Sequence, residues 1–298
     1  MKSKLYISLY CLFLLAFTAY VLLDAFVIER VYTIVDDTDV SEASRESQDE
    51  QGSQVVITNN SYHDEKISIS ISEHRVGDTT VYVADVVLKD PSYLKTAFAE
   101  DKYGKNIKEK TSVIAKDKNA LLAINGDYYS ARNGCVIRNG VLYREFSGDS
   151  DTESLIIYND GSFDFVNGDE GNGEELIAKG AVQVMSFGPA LVKDEKICVD
   201  TNDEVDKAMR NNPRTAIAWY GDRHYAFIVA DGRTKESKGL SLYELAEFSK
   251  ELGVKHCYNL DGGGSSTMYF QGEVINNPTT NGNRISEREV SDIVYIGY

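Results

Sequence analysis

KISISIS at residues 66–72 and TTVYVADVVL at residues 79–88 are the stretches that decide the fold class. The first alternates strictly between polar and apolar residues, and the second is rich in β-branched and aromatic residues, as strands are. The tripeptide VGD at residues 76–78 separates them and favours a tight turn, because glycine adopts left-handed backbone angles without strain. The two stretches therefore predict an antiparallel hairpin.

Similar patterns continue from the hairpin along the chain. Short turns such as NDG at residues 159–161 join several of them, which implies antiparallel pairing. Helical periodicity is clearest at residues 241–252, where Ser241 is an N-cap candidate, Glu244 completes a capping box and Gly253 ends the helix. These patterns predict an α+β domain with a large mixed, mainly antiparallel sheet and few helices. The other predicted strands are residues 120–124, 154–158, 162–166, 181–186, 215–220, 224–230, 255–260 and 289–296, and residues 166–175 are predicted to be a solvated loop.

The N-terminal region differs in composition from the predicted domain. Residues 5–23 carry no charge, are long enough to span a bilayer and follow Lys2 and Lys4, which favours a cytoplasmic N-terminus. A cleaved signal peptide is the alternative, although its apolar region is usually shorter. Residues 36–53 are acidic and nearly without apolar residues, so they cannot order themselves. We expect a cytoplasmic tip and transmembrane signal anchor at residues 1–28, an acidic flexible tether at residues 29–53 and a single folded domain at residues 54–298.

Charge and cysteine content restrict the partners of the chain. The 298 residues include 31 Lys and Arg against 47 Asp and Glu, for a net charge of −16. Such a net charge is repelled by nucleic acid and by anionic lipid surfaces, so no nucleic-acid partner is expected, and an anionic ligand needs a local basic pocket. Cysteine spacing offers neither a CxxC pair nor a self-contained disulfide framework. We expect Cys135, Cys198 and Cys257 to be buried as small apolar side chains.

The most informative motif is NLDGGGSSTM at residues 259–268. It places Asp261 at the end of a predicted strand, before three glycines and three hydroxyl side chains. Glycine lets a ligand approach the backbone closely, and successive N–H groups in such a turn can form an anion-binding nest. Ser265 and Ser266 would add hydroxyl donors. The motif predicts part of a binding or catalytic site, and a plain turn is the alternative.

Three further polar clusters stand at the ends of predicted strands. Loops at several strand ends of one sheet can build a joint site, although each cluster alone is also typical of an ordinary turn. Guanidinium groups match phosphate oxygens bidentately, so the arginines are candidates for binding an anion. The residues are Asn125 and Asp127 in INGDYY, Asp231 and Arg233 in DGR, and Arg214 and Thr215 in NPRTAIA.

Six motifs in this order resemble the phosphodiester glycosidase family. The resemblance spans residues 79–298, and the NLDGGGSSTM segment is highly specific. It implies hydrolysis of a sugar 1-phosphodiester, with N-acetylglucosamine as the sugar in some members, and a cell-surface glycan or sugar phosphate as the partner. Many bacterial members are described as exopolysaccharide-related. The motifs are INGDYY at residues 124–129, SFGPALV at 186–192, NPRTAIA at 212–218, DGR at 231–233, GLSLYELAEF at 239–248 and NLDGGGSSTM at 259–268.

The resemblance suggests roles for the candidate residues. A phosphate monoester leaves readily because its second pKa is about 6, so stabilising its charge matters more than protonating it. Asp261 is the first candidate for the base or nucleophile, with Asp127 and Asp231 as alternates. The candidates for substrate binding are Asn125, Arg214, Thr215, Arg233, Asn259, Gly262, Gly263, Gly264, Ser265 and Ser266.

The sequence leaves two other functions open. Asp127, Asp231, Asp261 and Asn259 offer oxygen ligands suited to Mg²⁺ or Ca²⁺, so the same site would suit a metal-dependent phosphodiesterase. A non-catalytic module for polysaccharide binding or wall assembly is the second alternative, with some of the 19 tyrosines stacking on sugars. The preferred prediction is a hydrolase anchored in the cell membrane by one helix, with its domain outside the cytoplasm.

Overall fold

The computed structural model describes residues 2–35, 55–131, 133–147, 153–201 and 211–298 of the chain. The α-helices in these ranges are α1 (Lys2–Phe26), α2 (Thr111–Asp117), α3 (Gly173–Ala178) and α4 (Leu242–Glu251). The strands are β1 (Arg30–Ile34), β2 (Val56–Thr58), β3 (Ser61–His63), β4 (Ile67–Val76), β5 (Thr79–Leu88), β6 (Leu94–Phe98), β7 (Lys102–Lys105), β8 (Glu109–Lys110), β9 (Leu122–Asn125), β10 (Val136–Arg138), β11 (Val141–Arg144), β12 (Glu153–Tyr158), β13 (Phe163–Asn167), β14 (Ala181–Met185), β15 (Ala190–Lys193), β16 (Lys196–Ile197), β17 (Arg214–Gly221), β18 (His224–Ala230), β19 (His256–Asn259), β20 (Met268–Phe270), β21 (Glu273–Val274), β22 (Glu289–Val290) and β23 (Asp292–Ile296).

The hairpin predicted from the alternating stretches is confirmed. β4 and β5 pair antiparallel along their whole length, from Ile67 opposite Leu88 to Val76 opposite Thr79. The turn between them contains Gly77, whose φ is +53°, a value that glycine adopts without a steric penalty.

The domain is built from antiparallel sheets, as the sequence predicts. The largest has nine strands in the order β16-β15-β19-β17-β18-β5-β4-β3-β2. Two five-stranded sheets have the orders β21-β20-β9-β23-β6 and β11-β10-β14-β12-β13. Every strand pairing within the described ranges is antiparallel, and the predicted α+β class with few helices is confirmed.

Side chains from all three sheets meet in one buried cluster. Phe227 and Tyr258 come from the nine-stranded sheet, Leu122 from β9 and Leu155 from β12. Each such side chain contributes roughly 1.5–3 kcal/mol by leaving water. On the other face of the nine-stranded sheet, Leu245 of α4 packs in a second cluster. The sheets therefore hold the loops at their strand ends in fixed relative positions.

The capping box predicted for α4 is confirmed. The Ser241 hydroxyl accepts a hydrogen bond from the Glu244 N–H at 3.1 Å, and the Glu244 carboxylate accepts one from the Ser241 N–H at 2.8 Å. Gly253 follows the helix with a φ of +81° and allows the chain to turn into β19.

Two local predictions are wrong. The predicted loop at residues 166–175 contains the end of β13 and the first turn of α3, because the Asn172 side chain accepts a hydrogen bond from the Glu175 N–H at 2.9 Å and caps that helix. The predicted strand at residues 289–296 is interrupted at Ser291, whose carbonyl accepts a hydrogen bond from the Ala99 N–H. As a result β22 pairs with β8, whereas β23 pairs with β6 and β9.

The stretch expected to be a tether begins with a strand. β1 pairs antiparallel with β7, from Arg30 opposite Lys105 to Ile34 opposite Lys102. Its sequence, RVYTI, has the β-branched and aromatic residues of a strand. The prediction assigned these residues to the tether because an acidic run follows them. Residues 36–53, the acidic part of the predicted tether, lie outside the described residues.

The N-terminal helix is the most apolar element of the structure. The segment Tyr6–Phe26 of α1 has 21 residues and is long and apolar enough to cross a membrane. Its side chains are not buried against the domain. An N-terminal signal sequence has the same composition, so the helix by itself indicates either an anchor or a signal.

Two of the three cysteines expected to be buried are so. Cys135 and Cys257 are buried, whereas Cys198 is exposed after β16, and that prediction is wrong. Periodicity could not reveal this, because β16 has only two residues and leaves the sheet edge directly after them.

The only tryptophan of the chain lies on the nine-stranded sheet. The ring of Trp219 stacks on His256 of the neighbouring strand, with 5.4 Å between centroids and 6° between the ring planes. Phe163 stacks on it from the β13 side at 6.0 Å. This aromatic stack joins the edge of one five-stranded sheet to the large sheet.

Candidate active site

The glycine-rich loop follows β19, and backbone hydrogen bonds fix it to two neighbouring segments. The Asp261 N–H donates to the Gly126 carbonyl at 3.2 Å, and the Gly263 N–H donates to the Pro213 carbonyl at 2.8 Å. The loop therefore lies between the end of β9 and the start of β17. The structure thus brings together three of the clusters that the sequence singled out, and the fourth, DGR, lies next to them, since a Cβ atom on residue 263 would be 2.9 Å from Arg233 Nη2.

Close packing explains why glycines occupy the centre of this loop. A Cβ atom on residue 262 would lie 2.9 Å from the Pro213 carbonyl oxygen, and one on residue 264 would lie 2.5 Å from Thr280 Oγ1. Gly263 has a φ of +64°, which disfavours other residues. The Gly263 N–H, which the sequence predicts to be part of an anion-binding nest, instead donates its hydrogen bond to the Pro213 carbonyl.

Asp261 is at the centre of a small hydrogen-bonded group. Ser265 Oγ lies 2.5 Å from Asp261 Oδ2 and 2.6 Å from Arg288 Nη2. Arg288 Nη2 also approaches Asp261 Oδ2 at 3.3 Å. A guanidinium group only donates hydrogen bonds, so the Ser265 hydroxyl accepts from Arg288 and donates to Asp261. This order fixes the carboxylate of Asp261 in one orientation.

Two of the predicted binding residues support Asp261 from below. Asn125 Nδ2 donates to the Asp261 carbonyl oxygen at 2.6 Å, and Thr215 Oγ1 donates to Asn125 Oδ1 at 2.8 Å. Both side chains are fully buried. Asn125 and Thr215 therefore position the loop, and neither lines the pocket described next.

A pocket of about 500 Å³ opens in front of Asp261. Its lining contains three basic side chains, Lys108, Lys110 and Arg288, and three carboxylates, those of Asp261, Glu287 and Glu289. The three cations give an anionic ligand partners within the pocket, although the chain as a whole is acidic. The lining residues are Lys108, Lys110, Tyr128, Asp261, Ser265, Thr280, Glu287, Arg288, Glu289 and Val290.

Tyr128 forms one wall of the pocket, and its backbone is unusual. Its φ is +53°, which is uncommon for an aromatic residue and concentrates at functional sites. Lys108 Nζ lies 5.3 Å from the centre of its ring and 3.3 Å from its hydroxyl oxygen. The ring can pack on a sugar while the adjacent ammonium group faces an anion.

The two predicted arginines occupy different environments. Arg233 lies beside the loop, where its guanidinium donates to the Asn212 side chain at 3.1 Å and to the Thr280 carbonyl. Burial, and next the positive charge of Arg288, lower the pKa of Arg233. Arg214 is 7% exposed and its Nε donates to the Leu240 carbonyl at 2.8 Å. Arg233 is therefore closer to the role of an anion-binding residue than Arg214 is.

Asp127 belongs to a buried ion-pair group behind the site. Its Oδ1 lies 2.8 Å from Arg138 Nη2, which also lies 2.9 Å from Asp292 Oδ2. The Ser186 N–H donates to the other carboxylate oxygen of Asp127 at 2.8 Å. These three charged side chains are almost fully buried. Asp127, an alternate catalytic candidate in the sequence, is thus held in a structural ion pair.

The balance of charges in this buried group raises the pKa of one carboxyl. Two carboxylates face a single guanidinium, and burial, followed by the charge of Asp127, raises the pKa of Asp292 to about 7. Burial alone would lower the pKa of Arg138, but both carboxylates outweigh burial and raise it. Gly126 is required here, since a Cβ atom on it would lie 2.5 Å from the Asp292 carboxyl carbon.

Asp231, the other alternate candidate, anchors a loop. Its Oδ1 accepts from the Asn276 side chain at 3.0 Å and from the Asn277 N–H at 2.9 Å, and its Oδ2 accepts from the Asn277 side chain at 3.0 Å. It is 3% exposed. These bonds fix the segment that leads to Thr280 and the rim of the pocket.

The three aspartates do not form a shared metal site. Asp127 pairs with Arg138, Asp231 binds two asparagines and Asp261 binds Ser265, so their oxygens belong to separate hydrogen-bond groups. Among the residues that the structure describes, no group of three or more His, Cys, Asp or Glu side chains could hold an ion.

Asn259 and Ser266, the last two predicted binding residues, lie below the surface of the loop. Asn259 Nδ2 donates to the Gly188 carbonyl at 2.7 Å. The Oδ1 of Asn259 and the hydroxyls of Ser266 and Thr267 are buried, and none has a hydrogen-bond partner within the described chain. Such groups are commonly satisfied by ordered water. Neither predicted residue lines the pocket.

Sequence reasoning missed all three basic residues of the pocket. Arg288 directly precedes a predicted strand, as Arg214 does, and that position was its only signal. Lys108 and Lys110 stand among other charged residues without a distinguishing pattern. Tyr128 is part of the quoted INGDYY motif, but its contribution depends on a backbone angle that the sequence does not reveal.

A family model described as phosphodiester glycosidase matches residues 118–297. The SPbeta prophage-derived uncharacterized protein YomE of Bacillus subtilis (strain 168) is 30% identical over 201 residues, which cover 66% of this chain and 31% of that protein. The N-acetylglucosamine-1-phosphodiester alpha-N-acetylglucosaminidase of Mus musculus is 39% identical over 66 residues, which cover 22% of this chain and 13% of that protein. The matched region thus spans less than a third of either relative.

The fold also resembles a solved catalytic domain. That of the zebrafish N-acetylglucosamine-1-phosphodiester alpha-N-acetylglucosaminidase, in a structure described as auto-inhibited by its pro-peptide, has a TM-score of 0.62 and 21% identity. The alignment covers 78% of this chain and 83% of that chain. The family match includes Asp261, Ser265 and Arg288 but begins after Lys108 and Lys110.

Proposed function

This chain belongs to the phosphodiester glycosidase family, and we propose that it is an extracytoplasmic hydrolase that removes a sugar from a sugar 1-phosphodiester. The sugar we propose is N-acetylglucosamine, the sugar named for the relatives with a described activity. The substrate would be part of a cell-surface polysaccharide or glycoconjugate.

One observation carries the proposal: a carboxylate, Asp261, lies in the same pocket as Lys108, Lys110 and Arg288. A phosphodiester is an anion at every physiological pH, and the three cations of the pocket offer it partners in an otherwise acidic molecule. The cations would stabilise the additional negative charge of the departing phosphate. The ring of Tyr128 offers a surface for the sugar.

The proposed reaction breaks the bond between C1 of the sugar and the phosphate oxygen. Asp261 removes a proton from a water molecule whose oxygen bonds to C1, or attacks C1 itself before water replaces it. The electron pair of the broken bond leaves with the phosphate. The products are the free sugar and a phosphate monoester, which Arg288 and the two lysines would hold until release.

The location outside the cytoplasm is part of the same proposal. α1 is long enough to span a bilayer, and Lys2 and Lys4 precede it, which favours a cytoplasmic N-terminus. We propose that α1 remains as a single-pass anchor.

A screen of the full chain in detergent against α- and β-linked sugar 1-phosphodiesters tests the reaction. We expect free sugar and a phosphate monoester, and in ¹⁸O water the label should enter the sugar. Label in the phosphate, with loss of turnover after chelation, would favour a phosphodiesterase. Binding of glycans without any product would favour a non-catalytic module.

A further inference from the structure

We propose that the pocket opens at the membrane surface and that its substrate is a sugar phosphodiester carried by a lipid of the same membrane. This inference rests on the proposed function, because it specifies where the phosphodiester is located. It follows from how the domain is attached to α1 and from the position of the pocket relative to that attachment.

The end of α1 is fastened to the domain by side chains. Asn106 Nδ2 donates to the Ile28 carbonyl at 2.8 Å and to the Asp24 carbonyl at 3.3 Å. Lys105 Nζ lies 3.8 Å from the Asp24 carboxylate, which also pairs with Arg30. The last turn of a membrane-spanning helix lies at the bilayer surface, so these contacts place the Lys105–Asn106 segment close to that surface.

Strand pairing extends the attachment beyond these side chains. β1 follows α1 directly and pairs with β7, and the two strands approach closely at Gly104. A Cβ atom on residue 104 would lie 2.1 Å from the Arg30 carbonyl oxygen. Glycine at this position therefore permits the pairing, and the domain is held against the helix by regular structure.

The pocket begins within a few residues of this attachment. Two residues of extended chain span at most about 7 Å, so Lys108 lies on the order of 15 Å or less from the last turn of α1. Lys108 and Lys110 both line the pocket. A second connection runs through Gly104, whose N–H donates to Tyr129 Oη at 3.2 Å, and Tyr129 follows the pocket residue Tyr128.

The surface around the attachment has the chemistry of a membrane interface. Large apolar side chains are exposed here within the part of the chain that the structure describes, among them Val27 (63%), Tyr32 (60%) and Ile34 (72%). In β7, Lys102 and Lys105 lie opposite Ile34 and Arg30 of β1, and Lys108 and Lys110 follow along the chain. Exposed apolar and aromatic side chains next to lysines suit the headgroup region of a bilayer that contains anionic lipid. We therefore take the bilayer that holds α1 as the partner of this surface.

A lipid-borne substrate follows from this position. An enzyme and a substrate anchored in one membrane meet at the high effective concentration of two tethered partners. The pocket would then face phosphodiester groups at the depth of the lipid headgroups, and Lys108 and Lys110 would meet the phosphate from the membrane side.

The test compares one headgroup in three settings. The full chain is reconstituted in vesicles with an N-acetylglucosamine 1-phosphodiester of a long-chain alcohol, either in the same vesicles or in separate ones, and with the methyl ester in solution. We expect the rate on the lipid-borne substrate to be about tenfold or more higher in the same vesicles than in separate vesicles. Equal rates in both vesicle settings, with the methyl ester hydrolysed, overturn the inference and leave the proposed function intact.

Variants of the attachment sharpen this comparison. Asn106→Gly removes the side-chain amide but tolerates the φ of +61° at this position, and Asn119→Gly is a matched control with a φ of +51°. We expect Asn106→Gly to reduce the advantage of the same vesicles several-fold without changing the rate on the methyl ester. Asn119→Gly should change neither.

A structural readout keeps the inference testable without turnover. In a Cys198→Ser background, an environment-sensitive dye is attached to Tyr32→Cys, to Asn281→Cys beside the pocket residue Thr280, or to Asp222→Cys in the β17–β18 turn. We expect lipids with a nitroxide at the headgroup to quench the first two dyes and not the third. Absence of quenching at residue 281 overturns the inference, whatever the activity. Quenching there with no hydrolysis of any phosphodiester contradicts the proposed function instead.

Discussion

Asp261 is held by neighbours that differ in kind on its two sides. The buried Asn125 fixes its backbone, and on the pocket side Ser265 and Arg288 hold its carboxylate. The hydrogen bond from Asn125 is buried away from the pocket, whereas Ser265 and Arg288 line the pocket, where a substrate could bond to them. The backbone of Asp261 is therefore fixed, whereas the polar groups around its carboxylate face the pocket.

Asp261→Asn should abolish most of the activity. The amide can neither accept a proton from water nor attack C1, and it has nearly the size of the carboxyl group. We expect kcat on a sugar 1-phosphodiester to fall by about 10² or more. Asp222→Asn, in an exposed turn, is the control and should be as active as the unaltered chain. A folded Asp261→Asn protein with normal turnover would remove Asp261 from the mechanism.

Arg288→Ala should lower turnover through loss of charge stabilisation and through the misplacement of Ser265. We expect a decrease in kcat of about 10², the usual effect of removing such a donor. Arg288→Lys should restore little, since one ammonium group cannot bond Ser265 and Asp261 with the same fork. Initial rates at saturating substrate provide the measurement, and full activity of the lysine variant would argue for a purely electrostatic role.

Asp292 should make the stability of the fold depend on pH. Its pKa in the folded state is about 7, above the ordinary value of 3.8, so the folded chain keeps a proton that the unfolded chain has lost between these values. The contribution of Asp292 to the free energy of unfolding therefore decreases as pH rises from about 4 to 7 and is constant above pH 7. Relative to the unaltered chain, Asp292→Asn should gain unfolding free energy over this window, measured by urea denaturation. If the difference in unfolding free energy between the two proteins stays the same from pH 4 to 8, this prediction is contradicted.

At the level of the site, the sequence identified the segments more accurately than the roles of their residues. Asp261 was recognisable because a carboxylate at a strand end precedes glycines. Asp127 had an equally good local pattern, but its partners Arg138 and Asp292 come from other strands. A local pattern cannot show whether a carboxylate faces a pocket or a buried guanidinium, because that depends on which strands become neighbours.

Among the elements, those whose boundaries were predicted well carry a local chemical signal. α4 has a capping box and a glycine at its end, and the hairpin of β4 and β5 has a strict alternation and a glycine turn. β22 and β23 were predicted as one strand because their sequence is continuous in pattern. The break at Ser291 results from pairing with two different partners, which is a property of the assembled sheets.

Ser241→Ala should destabilise the domain by removing the cap of α4. The Glu244 N–H would lose its acceptor at a half-buried position, and we expect the unfolding free energy to decrease by about 1 kcal/mol. Denaturant unfolding of the two proteins under the same conditions measures the difference. Ser286→Ala, at an exposed serine outside the helices, should be neutral. A loss no larger than that of the control would show that the cap is not required.

At the scale of the molecule, β1 changes the expectation for how the proposed anchor is joined to the domain. An acidic tether directly after α1 would let the domain move freely above a membrane. In the structure β1 instead continues from α1 into a sheet with β7, so the first connection between helix and domain is short and paired. The orientation of the domain then follows from the helix.

Chemical labelling can determine on which side of the membrane the domain lies. Cys198 is exposed, whereas Cys135 and Cys257 are buried and Cys11 lies in α1. If α1 is an anchor with the predicted orientation, a membrane-impermeant maleimide should label the chain on intact cells, and Cys198→Ser should remove the signal. Labelling that requires cell lysis would place the domain in the cytoplasm and would contradict the proposed location.

Trp219 gives the nine-stranded sheet an optical property of its own. It is the only tryptophan of the chain. Fluorescence excited at the long-wavelength edge of tyrosine absorption therefore comes from this one position. Its ring lies flat against His256, whose pKa is lowered by burial, so the imidazole is mainly uncharged at neutral pH. β17 carries this ring near one end and Arg214 at the other. The emission wavelength therefore reports how much water reaches Trp219, at the end of the sheet away from the glycine-rich loop. It can also be recorded while a ligand that is not hydrolysed occupies the pocket.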